Sequence, residues 1–93
     1  HELEETALLE HLEALAESLG VRVRYEVLPE EVGLASGGLC RLKGRHVIII
    51  NEKASRPEKI RTLSRALRRF DLNRIYLKPA VRELLEGEDP LYK

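Results

Sequence analysis

The chain has 93 residues, of which 43% are hydrophobic and 34% are charged, and its formal net charge is zero. This length predicts a single small domain over residues 1–93, and the interleaving of apolar with charged residues excludes a disordered chain. No apolar run approaches the roughly 18 residues of a membrane helix, which predicts a cytoplasmic protein with no membrane partner. The absence of Met and Trp, with many charged residues, favours a thermophilic source.

The N-terminal third predicts a helix followed by a strand. Leucines and alanines recur at helical spacing over residues 2–19, and Gly20 follows as a stop signal. The stretch "VRVRYEV", residues 21–27, alternates apolar with charged side chains, which predicts a strand with one buried face. The glycine-rich stretch "EEVGLASGG", residues 30–38, predicts a loop.

A β-hairpin is predicted next. The segments "LCRL" and "HVIII" flank the short connection Lys43-Gly44-Arg45. Every position from Val47 to Ile50 is apolar, so the second strand is expected to be covered on both faces.

The rest of the chain predicts two helices with a strand between them. Ser55 and Glu58 form a capping-box pattern, so a helix is expected over residues 56–70. "IYL", residues 75–77, predicts a strand paired with the 47–50 strand, and "PAVRELLE" predicts a helix stopped by Gly87. The predicted fold class is α+β, in the order α-β-β-β-α-β-α, with a small mixed sheet and helices packed on it.

The predicted helix over residues 56–70 has a basic face, and two of its arginines have the spacing of a known metal-binding motif. Arg65 and Arg69 lie four residues apart, where zinc-peptidase helices carry two histidines. Together with the element order and the "I-x-I-N" pattern at residues 48–51, this resembles the core of the ImmA/IrrE-type zinc metallopeptidases. The family's H-E-x-x-H falls on "RALRR", residues 65–69, where a guanidinium cannot bind zinc and no carboxylate activates water. The resemblance therefore implies a degenerate, non-peptidase member.

A second resemblance is to short conserved bacterial proteins with a similar "GLCRLKGR…III" to "IYLKPAVRELLE" pattern. It implies no particular activity.

The remaining candidate chemistry centres on Cys40. The histidines and this one cysteine show no metal-ligand spacing, and the glycines match no nucleotide-binding loop, so we predict no metal and no cofactor. Cys40 follows "SGG" and has two interpretations, a reactive thiol or a small buried hydrophobic residue, of which the second is favoured. A catalytic set of Cys40, His46 and Glu52 depends on the fold bringing them together.

The zero net charge conceals three blocks of opposite sign. Residues 1–31 hold nine Glu against two Arg, residues 32–82 hold thirteen Lys and Arg against three acidic residues, and residues 83–93 are acidic. Either the blocks face each other, within one chain or across a dimer, or the basic block binds a polyanion. The candidate polyanion or partner surface consists of Arg61, Arg65, Arg68, Arg69 and Arg74.

Three functional hypotheses follow. The leading one is a non-enzymatic interaction domain that forms a homodimer or binds a protein partner. The alternative is a nucleic-acid-associated module that uses the arginine-rich face of the 56–70 helix. The third is an enzyme that uses Cys40.

Overall fold

The computed structural model describes residues 4–29 and 37–87. These residues form three helices and one three-stranded sheet, which confirms the predicted α+β class with a small mixed sheet. In chain order the elements are α1 (Glu5–Ser18), β1 (Arg22–Glu26), β2 (Gly37–Leu42), β3 (Arg45–Asn51), α2 (Arg56–Leu67) and α3 (Pro79–Glu86). No helix in these described ranges is long and apolar enough to cross a membrane.

The sheet has the spatial order β1-β3-β2, so β3 is its central strand. β3 runs parallel to β1 and antiparallel to β2. The predicted hairpin between β2 and β3 is confirmed, and its two-residue turn consists of Lys43 and Gly44, with φ angles of 51° and 78°. Two consecutive positive φ angles identify a type I′ turn, whose twist matches that of the flanking strands.

All three helices contribute to a core on one face of the sheet. Ile48 and Ile50 of β3 point into this core and are fully buried, as are Leu12 of α1 and Leu63 of α2. Val47, the residue before Ile48, lies on the opposite face, because successive side chains of a strand alternate. Val47 is also buried, and its neighbour on that face, Ile49, is partly buried. β3 was expected to be covered on both faces. On the face away from the helices, this expectation holds for Val47 and only partly for Ile49.

The strand predicted at "IYL" is wrong. Ile75 lies in a turn, where its N–H bonds to the Leu72 carbonyl at 3.2 Å, and no strand forms at residues 75–77. Both sides of β3 are already occupied by β1 and β2, so no edge of the central strand remains for a fourth strand. Leu77 still enters the core, while Tyr76 is 80% exposed. The parallel partner of β3 is therefore β1, and the predicted crossover through α2 does not form.

The helix boundaries follow the local signals closely. The capping box is confirmed, because the Ser55 hydroxyl accepts from the Glu58 N–H and the Glu58 carboxylate accepts from the Ser55 N–H. α3 spans the predicted residues, from Pro79 to the residue before Gly87. α1 begins later than expected and ends one residue earlier, and residues 1–3 lie outside the described part.

Two further predicted boundaries are wrong. α2 ends at Leu67 rather than Phe70, because the last N–H groups bond three residues back instead of four: Phe70 bonds to Leu67 at 3.1 Å. In the predicted loop, Gly37 and Gly38 already belong to β2, and residues 30–36 lie outside the described residues.

Candidate interaction site

The five arginines of the predicted basic surface have different surroundings. Arg61, Arg69 and Arg74 are exposed, whereas Arg65 and Arg68 are partly buried. Arg69 lies beyond the end of α2, and its N–H bonds to the Ala66 carbonyl at 3.2 Å. The prediction that Arg65 and Arg69 stand one turn apart on a regular helix is therefore wrong.

Arg68 is engaged within the fold. Its Nη2 donates to the Leu84 carbonyl at 2.6 Å and its Nε donates to the Leu85 carbonyl at 3.1 Å. These carbonyls belong to the last turn of α3, where helical carbonyls lack intrahelical partners and the helix dipole favours a positive charge. Arg68 thus joins the end of α2 to the end of α3.

The acidic and basic blocks lie side by side in the helical layer. α1, which carries four of the ten described glutamates, packs directly against α2. Glu5 of α1 and Arg61 of α2 line the same groove, of about 410 Å³, together with the apolar side chains of Leu8 and Ile60. This arrangement agrees with the interpretation that the two blocks face each other within one chain.

The candidate catalytic residues do not converge. Cys40 is opposite Val47 on the sheet face away from the helices, and its thiol lies 3.8 Å from the Gly38 carbonyl. His46 lies on the helix side, where its ring packs edge-on against Phe70 with centroids 5.3 Å apart. Glu52 is exposed beyond the end of β3. The structure therefore assembles no Cys40, His46 and Glu52 set.

Metal ligands are also dispersed in the part of the chain that the structure describes. No group of three or more His, Cys, Asp or Glu residues lies close enough to hold a metal ion within residues 4–29 and 37–87.

In the part of the chain that the structure describes, the outer edge of β1 is open. The Glu26 carbonyl accepts from the Glu52 N–H at 2.8 Å, so Glu26 directs its backbone groups toward β3. Backbone groups of successive strand residues point to opposite sides, so Arg24 also faces β3, whereas Val23 and Tyr25 direct theirs away from the sheet. Within the described residues these outward groups have no hydrogen-bond partner. β1 therefore offers an unpaired strand edge.

Apolar side chains accompany this edge on the helix side. Tyr25 is 37% exposed and Val27 is 57% exposed, although both belong to the alternating apolar pattern of the strand. An open groove of about 480 Å³ runs between β1 and α1. Val23 and Tyr25 line it on the β1 side, and Glu13 and Glu17 line it on the α1 side. The edge thus combines unpaired backbone groups with incompletely buried apolar surface.

Tyr25 is held in place by charged neighbours. Its hydroxyl donates to the Glu13 carboxylate, and the Lys59 ammonium lies 5.7 Å from the centroid of its ring. Partial burial, followed by the hydrogen bond and the negative charge of Glu13, raises the pKa of the Tyr25 phenol well above its ordinary value. The ring is therefore oriented along the groove beside the open edge.

The opposite face of β1 carries alternating charges. Arg24 Nη2 lies 2.5 Å from Glu26 Oε2, and both side chains remain partly exposed. An exposed pair of this kind contributes only about 0–1 kcal/mol to stability, so it leaves both charges available to a further partner.

Part of this site was visible in the sequence. The alternation of residues 21–27 predicted a strand with charges on one face, but nothing in it showed that β1 lies at the edge of the sheet. That position is set by the pairing of β3 with both other strands, which is a long-range property.

Comparisons with known proteins returned no match: no family model, no curated protein and no solved structure is detectably similar to this chain. The resemblance to the peptidase core stays a prediction.

Proposed function

We propose that the protein is a non-enzymatic interaction domain that associates with a second copy of itself through the open edge of β1. The observation that carries this proposal is the unpaired edge, at which Val23 and Tyr25 direct their backbone groups outward. Exposed strand edges are templates for pairing with another chain, and a two-fold axis at such an edge gives a closed dimer.

The side chains favour one antiparallel register, with Tyr25 opposite its own copy on the two-fold axis. In this register Val23 lies opposite Val27 of the second copy, the residue that directly follows β1. The backbone groups of Val23 point outward, and Val27 forms a hydrogen-bonded pair with it if pairing extends the strand by one residue. The exposed apolar surface of Tyr25 and Val27 is buried between the copies. The two sheets join into one six-stranded sheet.

The charges support the same register. Arg24 lies opposite Glu26 of the second copy, and Glu26 lies opposite the second Arg24, so the existing pair at 2.5 Å becomes part of a four-residue network. The register centred on Arg24 instead places two arginines against each other on the axis. Charge complementarity therefore selects the Tyr25-centred arrangement.

The expected dimer is weak. Cross-strand pairs contribute about 0.2–1 kcal/mol each and backbone hydrogen bonds about 1 kcal/mol each, against an association cost of about 4 kcal/mol or more. At the upper end of these ranges the surplus is about 7 kcal/mol, which corresponds to a Kd of roughly 10 µM. We therefore expect exchange between monomer and dimer at micromolar concentrations.

The test uses charge reversal on both sides of the pair. Arg24→Glu places two acidic residues on the strand, and Glu26→Arg places two basic residues there. By sedimentation equilibrium, each variant alone is expected to be monomeric, because like charges oppose each other across the axis. An equimolar mixture is expected to dimerise, because each Glu then faces an Arg of the other chain.

Each substitution also breaks the Arg24–Glu26 ion pair within its own chain, which could weaken the monomer. Mixing the two variants cannot restore that pair, so a dimer in the mixture must come from contacts between the chains. Arg82→Glu is the matched control, because Arg82 forms a similar exposed pair with Glu86 at 2.9 Å on α3. It is expected to dimerise like the wild type. A wild type that stays monomeric at 100 µM or so, or a mixture that stays monomeric while the wild type dimerises, contradicts the β1 interface.

The nucleic-acid module remains the second candidate function, supported by the exposure of Arg61 and Arg69 at the surface of the helical layer. Its test is binding of labelled DNA and RNA by the wild type and by an Arg61→Glu, Arg69→Glu variant. We also propose a cytoplasmic location and a thermophilic source, both on the composition alone.

A further inference from the structure

A second basic region, separate from the α2 arginines, lies on the sheet face away from the helices. The starts of β1 and β3 and the hairpin turn enclose a cleft of about 490 Å³. The cleft is lined by Arg22 and Arg24 of β1, Lys43 of the turn, Arg45 of β3, and the apolar side chains of Leu42 and Val47.

The sheet register places these cations around an apolar floor. Arg22 is paired with Val47 across the parallel ladder, and Leu42 is paired with Arg45 across the hairpin. Residues opposite each other share one face of a sheet, so Arg22 and Arg45 flank the Val47 side chain on the open side. Leu42 is 44% exposed and extends the floor toward the turn.

The positive charge of the cleft is largely uncompensated. Only Arg24 has a carboxylate partner, Glu26. Within the described residues, Arg22, Lys43 and Arg45 form no ion pair and no side-chain hydrogen bond, and no carboxylate lines the cleft. Neighbouring like charges repel each other, so a bound anion that neutralises them is favoured.

Lys43 has a backbone conformation that is unfavourable for a residue with a long side chain. Its φ of 51° belongs to the left-handed region, which asparagine and glycine occupy more readily in a type I′ turn. The turn therefore gives up some local stability while placing an ammonium group at the mouth of the cleft. A residue kept in an unfavourable backbone conformation points to a functional role, and binding of a ligand by the Lys43 ammonium group is such a role.

We propose that this cleft binds the phosphodiester backbone of single-stranded nucleic acid, without reading its sequence. Arg22 and Arg24 are two residues apart on one strand, a spacing of about 6.6 Å that suits successive phosphates of an extended strand. Arg45 and Lys43 continue the row across the sheet. Of the residues that line the cleft, His46 has an aromatic ring, but that ring packs edge-on against Phe70 on the helix side. Binding therefore rests on phosphate contacts and depends strongly on salt.

The experiment measures fluorescence anisotropy of a labelled 20-mer of thymidine across a salt series. With four phosphate contacts, the logarithm of the wild-type association constant is expected to fall with the logarithm of salt concentration at a slope of about −3. In a Lys43→Asn, Arg45→Gln variant the affinity is expected to fall at least tenfold and the slope to shrink to about −1.5.

The variants separate binding from folding. Lys43→Asn alone creates the Asn-Gly pair that type I′ turns prefer, so thermal unfolding is expected at the same temperature as the wild type or higher while binding weakens. The matched control, Lys78→Gln with Arg82→Gln, removes the same charge from exposed positions of the helical layer and is expected to keep the wild-type affinity within threefold.

Three results overturn the proposal: undiminished binding by the cleft variant, an equal loss in the helix control, or no binding of the 20-mer, whether or not tripolyphosphate binds. Sedimentation of the Lys43→Asn variant keeps this proposal distinct from dimer formation. Lys43 and Arg45 lie away from the β1 edge, so self-association is expected to be unchanged when binding is lost.

Discussion

Replacing Arg68 is expected to loosen α3 from the rest of the fold. The guanidinium donates to the Leu84 and Leu85 carbonyls at 2.6 and 3.1 Å, in the last turn of α3. α3 has eight residues, far fewer than an isolated helix needs to be stable in water. It therefore depends on contacts of this kind and on the burial of Val81 and Leu85.

The magnitude follows from those two bonds. A hydrogen bond to a charged group contributes about 1.5–3 kcal/mol, and the partial exposure of Arg68 reduces that figure because water competes for the same carbonyls. For Arg68→Leu we expect a loss of about 2 kcal/mol in the free energy of unfolding, measured by urea denaturation. Arg68→Lys is expected to lose about half as much, because an ammonium lacks the planar fork that reaches two carbonyls.

The neighbouring arginine provides the control. Arg69 is exposed, so Arg69→Leu is expected to change the free energy of unfolding by less than about 0.5 kcal/mol. Amide hydrogen exchange adds a local measurement, since the Gly87 N–H, which bonds to the Glu83 carbonyl at 2.8 Å, is expected to exchange faster in Arg68→Leu alone. Equal losses for the two variants, or an unchanged Gly87 rate, refute the assignment of Arg68 to α3.

Three further predictions concern the sheet and the helix start. The pKa of Tyr25 is raised above its unfolded value of 10.0, so its contribution to stability is complete below about pH 10 and lost as the pH rises further; Tyr25→Phe is expected to show a smaller alkaline decline in urea denaturation. Gly37→Ala is expected to lower the free energy of unfolding, measured by urea denaturation, by more than about 2 kcal/mol, because the φ of Gly37 is 114° and a Cβ there meets the backbone of β3. Gly20→Ala, which has open space around it, is expected to lower it by about 1 kcal/mol. Ser55→Ala removes a helix cap and is expected to lower the melting temperature by about 4–8 °C, the equivalent of about 1 kcal/mol. An unchanged melting temperature contradicts that cap.

Local signals allowed most of the elements to be predicted. The Ser55 capping box, the proline at the start of α3 and the glycine after it each act within one helical turn, and each boundary formed as expected. The hairpin also followed from a short glycine-bearing connection between two apolar segments. At these positions the local conformational preference agrees with the tertiary structure, so the local signal is enough to predict the boundary.

The errors arose where long-range pairing decides. The segment at residues 75–77 has the composition of a strand, but β3 has no side left for it, so its apolar side chains pack without backbone pairing. The role of Arg68 was equally hidden, because its position on a basic helix face gave no sign that α3 ends beside it. Counting arginines along the sequence therefore overestimated the surface available to a polyanion.

Amide hydrogen exchange of β1 as a function of protein concentration tests self-association through this strand most directly. If two copies pair through their β1 edges, the Val23 and Tyr25 amides are protected at high concentration and exchange rapidly on dilution below the dissociation constant. The Arg24 amide, which faces β3, stays protected throughout. Exchange at Val23 and Tyr25 that does not change with concentration, in a sample shown by sedimentation to be dimeric, contradicts the β1 interface.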